Sequence, residues 1–137
     1  MIKRIHVVAA VIVHADRQSI FISRRADHLH QGGLWEFPGG KVEAGESAES
    51  ALARELFEEL DIAVQAARPF MQVEHDYPDK QVLLDIWQVD SFTGTARGKE
   101  GQQCRWVGLQ ELHNDQLFEF PAANQPILER LLEVGID

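Results

Sequence analysis

Apolar and polar positions along the chain follow a pattern that predicts several strands. Runs rich in β-branched residues, the first of them apolar on both faces, are typical of buried strands. The predicted strands are residues 5–14, 19–25, 68–77, 81–92 and 104–107. Pro78-Asp79-Lys80 has the composition of a turn and predicts a hairpin between two of these strands. Residues 35–38 are a short extended piece, since proline disfavours helix in the residue before it.

Two further segments have the spacing of amphipathic helices. The first is predicted at residues 48–60, where Ser47 is a suitable N-cap and leucines recur every four positions. Those leucines are Leu52, Leu56 and Leu60. The second is predicted from Ala123 or Asn124 to Val134, with one apolar face. The face consists of Ile127, Leu128, Leu131 and Leu132. Strands around two main helices predict a mixed sheet held between helices.

The composition is that of one globular domain, which we assign to residues 1–137. Hydrophobic residues make up 45% of the chain and charged residues 26%, which argues against disorder. Cys104 is the only cysteine, so no disulfide can form within the chain, and we expect a cytoplasmic protein. No stretch approaches the roughly 20 apolar residues of a membrane span, so we expect no membrane partner.

The formal net charge of -9 disfavours one class of function. Proteins that bind duplex DNA without sequence preference take most of their affinity from Lys and Arg contacts to phosphate. We therefore expect no nucleic acid polymer as a partner. An acidic protein can still bind a small polyphosphate when divalent cations lie between its carboxylates and the phosphate oxygens.

Three carboxylates fall on one face of the first predicted helix. Glu55, Glu58 and Glu59 are spaced i, i+3 and i+4, so they are neighbours that repel one another unless a cation lies among them. Oxygen ligands in that number suit Mg²⁺ or Mn²⁺. The alternative interpretation is a solvated helix face, because exposed glutamates and charge runs are common.

The segment that contains these glutamates resembles the Nudix box. Residues 40–62 read G-K-V-E-A-G-E-S-A-E-S-A-L-A-R-E-L-F-E-E-L-D-I. The positions that the family pattern fixes are Gly40, Glu46, Arg54, Glu55, Leu56, Glu58, Glu59, Asp61 and Ile62. Asp61 departs from the pattern, which has Gly there. Because Asp tolerates the left-handed conformation common just after a helix, we expect a small stability cost and an intact site.

The resemblance implies an α+β fold of the Nudix type, an α/β/α sandwich with a mixed sheet between helices. It implies hydrolysis of a nucleoside diphosphate linked to another group, by water and with a divalent metal. The expected metal is Mg²⁺, and Mn²⁺ could substitute for it. By resemblance, Glu58 and Glu59 are metal ligands, and Glu55 is a ligand or the general base. Arg54 would hold a catalytic glutamate by an ion pair. A carbonyl of Gly39 or Gly40 would complete the metal site. Glu46, which precedes the helix, would hold the loop before it in place.

Segments outside the box resemble the branch of the family that hydrolyses 8-oxo-dGTP, the MutT-type diphosphatases. The matching segments are Ser23-Arg24-Arg25, Trp35-Glu36-Phe37-Pro38-Gly39-Gly40-Lys41, Tyr77-Pro78-Asp79, Gly98-Lys99-Glu100-Gly101-Gln102 and Phe120-Pro121-Ala122-Ala123-Asn124. By that resemblance Glu100 adds a carboxylate to the metal site and could activate water. If that resemblance is set aside, the simplest interpretation of Glu100 is an exposed loop residue. The residues implied at the nucleotide pocket are Arg25, His30, Glu36, Phe37, Pro38, Gly39, Lys41 and Asn124.

Asn124 has a physical argument of its own for reading an oxidised base. Oxidation of guanine at C8 turns N7 from an acceptor into an N–H donor, while O6 stays an acceptor. The Asn amide can accept from N7–H and donate to O6, whereas unoxidised guanine would set its N7 lone pair against the amide oxygen. The alternative role for Asn124 is the N-cap of the last helix, which its position fits equally well.

The branch resemblance implies an enzyme that converts 8-oxo-dGTP, and 8-oxo-GTP, to the monophosphate and pyrophosphate and so cleanses the nucleotide pool. We expect it to act as a monomer. One alternative is a Nudix pyrophosphohydrolase acting on CTP or another modified nucleoside triphosphate. Another is a binding module that recognises oxidised guanine without hydrolysis. Such a module would not need the metal ligands that this chain retains.

Overall fold

The computed structural model describes residues 3–28, 32–112 and 118–136. Its strands are β1 (Lys3–Val13), β2 (Ser19–Arg24), β3 (Trp35–Glu36), β4 (Gly39–Lys41), β5 (Ala63–Tyr77), β6 (Lys80–Thr93) and β7 (Cys104–Gly108). Its helices are α1 (Ala48–Leu60), α2 (Leu109–Leu112) and α3 (Gln125–Val134), and a 3₁₀ turn at Ala122–Asn124 precedes α3.

The strands form one mixed sheet, as the sequence predicts. Its main path runs β3-β2-β1-β6-β5, with β4 paired to β1 and β7 paired to β2. β1 lies parallel to β6 and antiparallel to both β2 and β4. Two short strands can share one edge of β1 because they use different parts of it. Residues 7–9 pair with β4, while Ile12 and Val13 pair with β2. The sharing brings Gly39 and Gly40 to the middle of the sheet.

Helices cover both faces of this sheet. On one face α1 packs its buried leucines against Val8, Ala10 and Ile12 of β1. On the other face α3 packs against the alternate residues of the same strand, such as Val11 and Val13. A strand covered on both sides reads as a continuous apolar run, which is why β1 has one. The predicted α/β/α arrangement is confirmed, and α1 spans the predicted residues.

Several predicted boundaries are wrong. The hairpin strands are longer than residues 68–77 and 81–92, since β5 begins at Ala63 and β6 ends at Thr93. Irregular pairing near Ala66 and Met71 lets β5 continue where polar and apolar residues do not alternate. α2 was not predicted, and the last α-helix begins at Gln125 rather than Ala123 or Asn124. Among the described residues, no helix has the length and apolar character needed to cross a bilayer.

The inward position predicted for Leu132 is also wrong, because 48% of this residue is exposed. Ile127 and Leu131 are fully buried, and Leu128 is nearly so. At about 100° per residue, Leu132 lies at the edge of the arc that these three residues define. An apolar residue at that edge remains in contact with solvent.

Candidate active site

α1 is held at both ends by local contacts that its sequence encodes. The Ser47 hydroxyl accepts a hydrogen bond from the backbone N–H of Ser50, so Ser47 is the N-cap as predicted. At the other end Asp61 adopts the left-handed conformation with φ 62° and donates its N–H to the Phe57 carbonyl. Asp therefore occupies the conformation that the family's Gly favours, as we expected. α1 ends at the position the pattern implies.

Glu55 and Glu59, one turn apart on α1, interact directly. Glu59 donates a hydrogen bond to the Glu55 carboxylate. Burial is the largest cause of a pKa of Glu59 raised to about 8, followed by the charges of Glu55, Glu36 and Glu100. Burial also raises the pKa of Glu55. Carboxylates from three separate segments thus lie close enough to affect the protonation of Glu59.

Glu58 lies at the solvent-exposed edge of this group of carboxylates, where its charge still raises the pKa of Glu55. Its side chain is 55% exposed, and its carboxylate lies 3.4 Å from the guanidinium of Arg54. The structure therefore brings Glu55 and Glu59 together but leaves Glu58 at the edge, although all three share one predicted helix face.

Arg54 connects the loop before α1 to the glutamates on α1. Its guanidinium donates to both carboxylate oxygens of Glu46, at 2.7 and 3.0 Å, and to Glu55 at 3.0 Å. It also donates to the Lys41 carbonyl at 3.1 Å. Hydrogen bonds from Arg54 and from the backbone N–H of Glu43 lower the pKa of Glu46 to about 2. These contacts have the geometry required to hold the loop and to orient Glu55.

Two adjacent glycines lie where a side chain would not fit. A Cβ at Gly40 would lie 2.5 Å from both carboxylate oxygens of Glu55. A Cβ at Gly39 would collide with the backbone carbonyl of Val8 on β1. The backbone of β4 at Gly40 therefore passes close to Glu55 of α1, an approach that only glycine permits.

An open cleft of about 630 Å³ lies beside the carboxylates, a volume within the roughly 300 to 1,000 Å³ typical of ligand sites. Of the predicted site residues, the structure brings Arg25, Glu36, Glu59 and Glu100 to its lining. The other lining residues are Ser23, Arg24, Ala26, Asp27, His28, Gly101, Gln102 and Gln103. His30 lies outside the described residues.

Other predicted pocket residues are not among those that line this cleft in the described part of the chain. Phe37 is 4% exposed and stacks on Phe120 with the ring centroids 5.5 Å apart. Pro38 is buried, and Lys41 is exposed on β4. Asn124 occupies the cap position of α3, yet its side chain makes no capping hydrogen bond. The structure thus leaves the Asn124 amide uncommitted to helix capping.

The side chain of Glu36 is a feature of the site that the sequence did not reveal. The resemblance implied Glu36 at the nucleotide pocket without a role for its side chain, but its carboxylate pairs with Arg25 at 3.2 Å and its charge raises the pKa of Glu59. Burial is the largest influence on Glu36 and raises its pKa despite this ion pair. Its place in β3, paired with Ser23 of β2, determines that orientation. No periodicity in so short a strand could have indicated it.

The donor set of this site fits a hard divalent cation. All the side-chain donors are carboxylate oxygens, and a cation would offset both the burial and the charge repulsion that raise the pKa of Glu59. Within the described residues, no three His, Cys, Asp or Glu side chains converge as they would around a bound ion. The contacts explain this: Glu59 bonds to Glu55, and Glu58 pairs with Arg54.

The raised pKa of Glu59 predicts how pH changes the stability of the metal-free protein. The unfolded chain loses this proton near pH 4.5, whereas the folded chain keeps it to about pH 8. Stability is therefore expected to fall as pH rises through that range, because the folded state binds the extra proton. Thermal melts in EDTA from pH 5 to 8 test this. Glu59→Gln, which cannot ionise, should show a smaller decrease.

Added Mg²⁺ supplies the second arm of that experiment. Because the cation binds only the folded site, millimolar Mg²⁺ is expected to raise the wild-type melting temperature near pH 8. The increase should be smaller in Glu59→Gln. Parallel pH curves for the two proteins, or a wild-type melting temperature insensitive to Mg²⁺, would contradict the site as described.

Comparisons with known proteins agree with this geometry. A family model described as NUDIX domain matches residues 8–130. The 8-oxo-dGTP diphosphatase of Escherichia coli K12 is 40% identical over 124 residues, covering 90% of this chain and 94% of that protein. The CTP pyrophosphohydrolase of the same organism is 35% identical, covering 95% and 93%. A solved MutT structure, from work on the Aliivibrio salmonicida and Vibrio cholerae proteins, is 44% identical with a TM-score of 0.84, covering 96% and 98%.

Proposed function

The chain belongs to the Nudix hydrolase family, and from this premise we propose that it hydrolyses 8-oxo-dGTP, and 8-oxo-GTP, to the monophosphate and pyrophosphate. The observation that carries the proposal is the match to an 8-oxo-dGTP diphosphatase over nearly the whole length of both chains. Removing oxidised nucleotides from the pool would prevent their incorporation into DNA. The carboxylate cluster beside an open cleft supplies the chemistry that such a reaction requires.

We assign the roles in the site as follows. Glu58, Glu59 and Glu100, with a carbonyl of Gly39 or Gly40, would hold Mg²⁺, and Mn²⁺ could substitute. The cation supplies positive charge that neutralises the phosphate oxygens during phosphoryl transfer. Hydrolases of this family need a divalent metal in general.

The attacking water needs a carboxylate to orient it or accept its proton. Glu55 is held in place by Arg54, and Glu100 reaches the cluster from a loop, so either can serve as the base. Arg25 lines the cleft and forms an ion pair with Glu36. This contact places the Arg25 guanidinium where a polyphosphate or a nucleobase would bind. Beyond Arg25, the resemblance alone assigns His30, Phe37 and Asn124 to the nucleotide pocket, with the backbone of residues 36–39 and Lys41 nearby.

The substrate class is tested by comparative kinetics with free pyrophosphate as the readout. With Mg²⁺ present, we expect the highest kcat/KM on 8-oxo-dGTP and a much lower value on dGTP. A higher value on CTP would replace this proposal with the second candidate, which the CTP pyrophosphohydrolase relative favours. Tight binding of oxidised guanine nucleotide without any turnover would instead indicate a binding module.

Asn124→Ala is expected to reduce the preference for 8-oxo-dGTP over dGTP by about one to two decades. The reason is that the amide reads N7–H and O6 of the base, and losing such a buried pair costs about 1 to 3 kcal/mol. The Mg²⁺ dependence should stay unchanged, because the carboxylates act on the phosphates. Measuring kcat/KM for both substrates on both proteins tests this. An unaltered ratio would show that Asn124 does not read the base.

The remaining expectations belong to the same proposal. The enzyme would act on its nucleotide as a monomer in the cytosol. The formal net charge of -9 supports a metal-bridged small polyphosphate as its partner rather than a nucleic acid polymer. Gel filtration with light scattering tests the monomer.

A further inference from the structure

The loop between β6 and β7 is docked on the carbonyl end of α1. The last carbonyls of a helix have no partner within the helix and must bond elsewhere. Here the backbone N–H of Arg97 donates to the Leu60 carbonyl at 3.1 Å, and that of Lys99 donates to the Glu59 carbonyl at 2.9 Å. The loop that carries Glu100 is therefore attached to the helical turn that carries Glu59.

A single side-chain amide completes this attachment. The Gln102 amide oxygen accepts from the backbone N–H of Glu100 at 3.0 Å, and its NH₂ donates to the carbonyl of Glu59 at 3.2 Å. Both ends of one rigid planar group thus contact the backbones of two glutamates that line the cleft. The bond to the Glu59 carbonyl is partly buried, which reduces competition from water for it, whereas the bond from Glu100 is exposed.

The loop backbone is shaped to bring this amide into place. The N–H of Gly101 donates to the Gly98 carbonyl at 3.0 Å and closes a turn with Lys99 and Glu100 at its centre. A Cβ at Gly98 would collide with the Gln102 carbonyl and would lie 3.2 Å from the Gln102 side-chain amide carbon. Only glycine at this position lets the two sides of the turn approach so closely.

We infer that Gln102 is a positioning residue, whose amide fixes the Glu100 backbone against the end of α1 and so sets the distance between the Glu100 and Glu59 carboxylates. The inference rests on the proposed function in one respect, that both carboxylates act in the reaction. A group misplaced by about 1 Å can reduce an enzymatic rate by roughly a hundredfold. Gln102 itself need not touch the substrate.

Gln102→Leu removes both hydrogen bonds while keeping a side chain of similar size. We expect kcat to fall about 10- to 100-fold, with KM changed less than about threefold, because Arg25 and the base-reading residues are untouched. Arg97→Ala is the matched control. It removes an exposed ion pair between the same loop and Asp61 but keeps the backbone bond to Leu60, so kcat should stay within about twofold.

A double-mutant cycle distinguishes positioning from general structural damage. If Gln102 acts through Glu100, then adding Gln102→Leu to Glu100→Gln should lower kcat by less than about threefold. An equal loss in both backgrounds, or no loss in either, would overturn the inference. The cycle uses whichever nucleoside triphosphate the wild type hydrolyses fastest. The test therefore remains valid even if the nucleobase of the natural substrate has been assigned wrongly.

A measurement without substrate separates the inference from the proposed function. Hydrogen exchange followed by NMR should show faster exchange of the Glu100 amide in Gln102→Leu, while the core amides of β1 stay protected as in the wild type. Unchanged exchange at Glu100 would show that the bridge does not hold the loop, whatever the substrate. Absence of turnover on 8-oxo-dGTP with faster exchange at Glu100 would instead refute the substrate and keep the bridge.

Discussion

Glu59→Gln is expected to lower kcat by about a hundredfold to a thousandfold while the fold survives. Losing one charged metal ligand removes about 3 to 4 kcal/mol of transition-state stabilisation, and each 1.4 kcal/mol is a factor of ten. The metal-free fold should tolerate the change, because Gln can donate to Glu55 as protonated Glu59 does. Steady-state kinetics at saturating Mg²⁺, with melting curves of both proteins, measure the two effects separately.

Glu58→Gln should reduce kcat by a similar factor, although Glu58 is exposed and paired with Arg54 in the metal-free protein. Glu49→Gln is the matched control, since it makes the same change on the first turn of α1, outside the cleft. Its activity should equal that of the wild type. Near-normal turnover of Glu58→Gln or Glu59→Gln at saturating Mg²⁺ would remove that residue from the metal site.

Gly40→Ala is expected to lower kcat by roughly a hundredfold with little loss of stability. The new Cβ would lie 2.5 Å from both Glu55 carboxylate oxygens, so the flexible end of that side chain must move. The displacement would take Glu55 from the orientation that Arg54 gives it, and a misplacement of about 1 Å can cost this much. The measurement is kcat at saturating Mg²⁺, together with the free energy of unfolding from urea titration.

Gly108→Ala is the control for the Gly40 variant. Its Cβ would find its nearest neighbour at 3.5 Å, an ordinary contact, so neither activity nor stability should change much. Gly39→Ala should differ from both, because its Cβ would meet the backbone of β1 and the sheet itself must shift. Wild-type activity in Gly40→Ala would show that the position of Glu55 is not critical.

Much of α1 and its site could be predicted because the determinants are local. The helix bounds follow from Ser47 and a leucine stripe, and the conformation of Asp61 follows from its place just after the helix. These features depend on hydrogen bonds and rotations within a few residues of one another. The same is true of β1, whose apolar run indicates burial on both faces.

Predictions became less accurate where a segment depends on a distant partner. The extra length of β5 and β6 depends on pairing across the hairpin, which proceeds through bulges that interrupt the alternation of side chains. The exposure of Leu132 depends on how α3 is rotated against the sheet. The four apolar residues of its face do not determine that rotation. The sequence constrained these elements without fixing their edges.

By itself, the sequence determined the family, the mixed sheet between helices, and the set of carboxylates on α1. Each follows from a residue pattern within a single segment: the box motif, the apolar runs of the strands, and the spacing of the glutamates. Only the tertiary structure decided which carboxylates meet. Glu36 from β3 and Glu100 from a loop join Glu59, while Glu58, its neighbour in sequence, turns to Arg54. The physical reason is that the burial of a carboxylate and the charges around it depend on every segment that packs near it, including segments distant in sequence. Where those segments lie is fixed by strand pairing and by bonds such as those of Gln102.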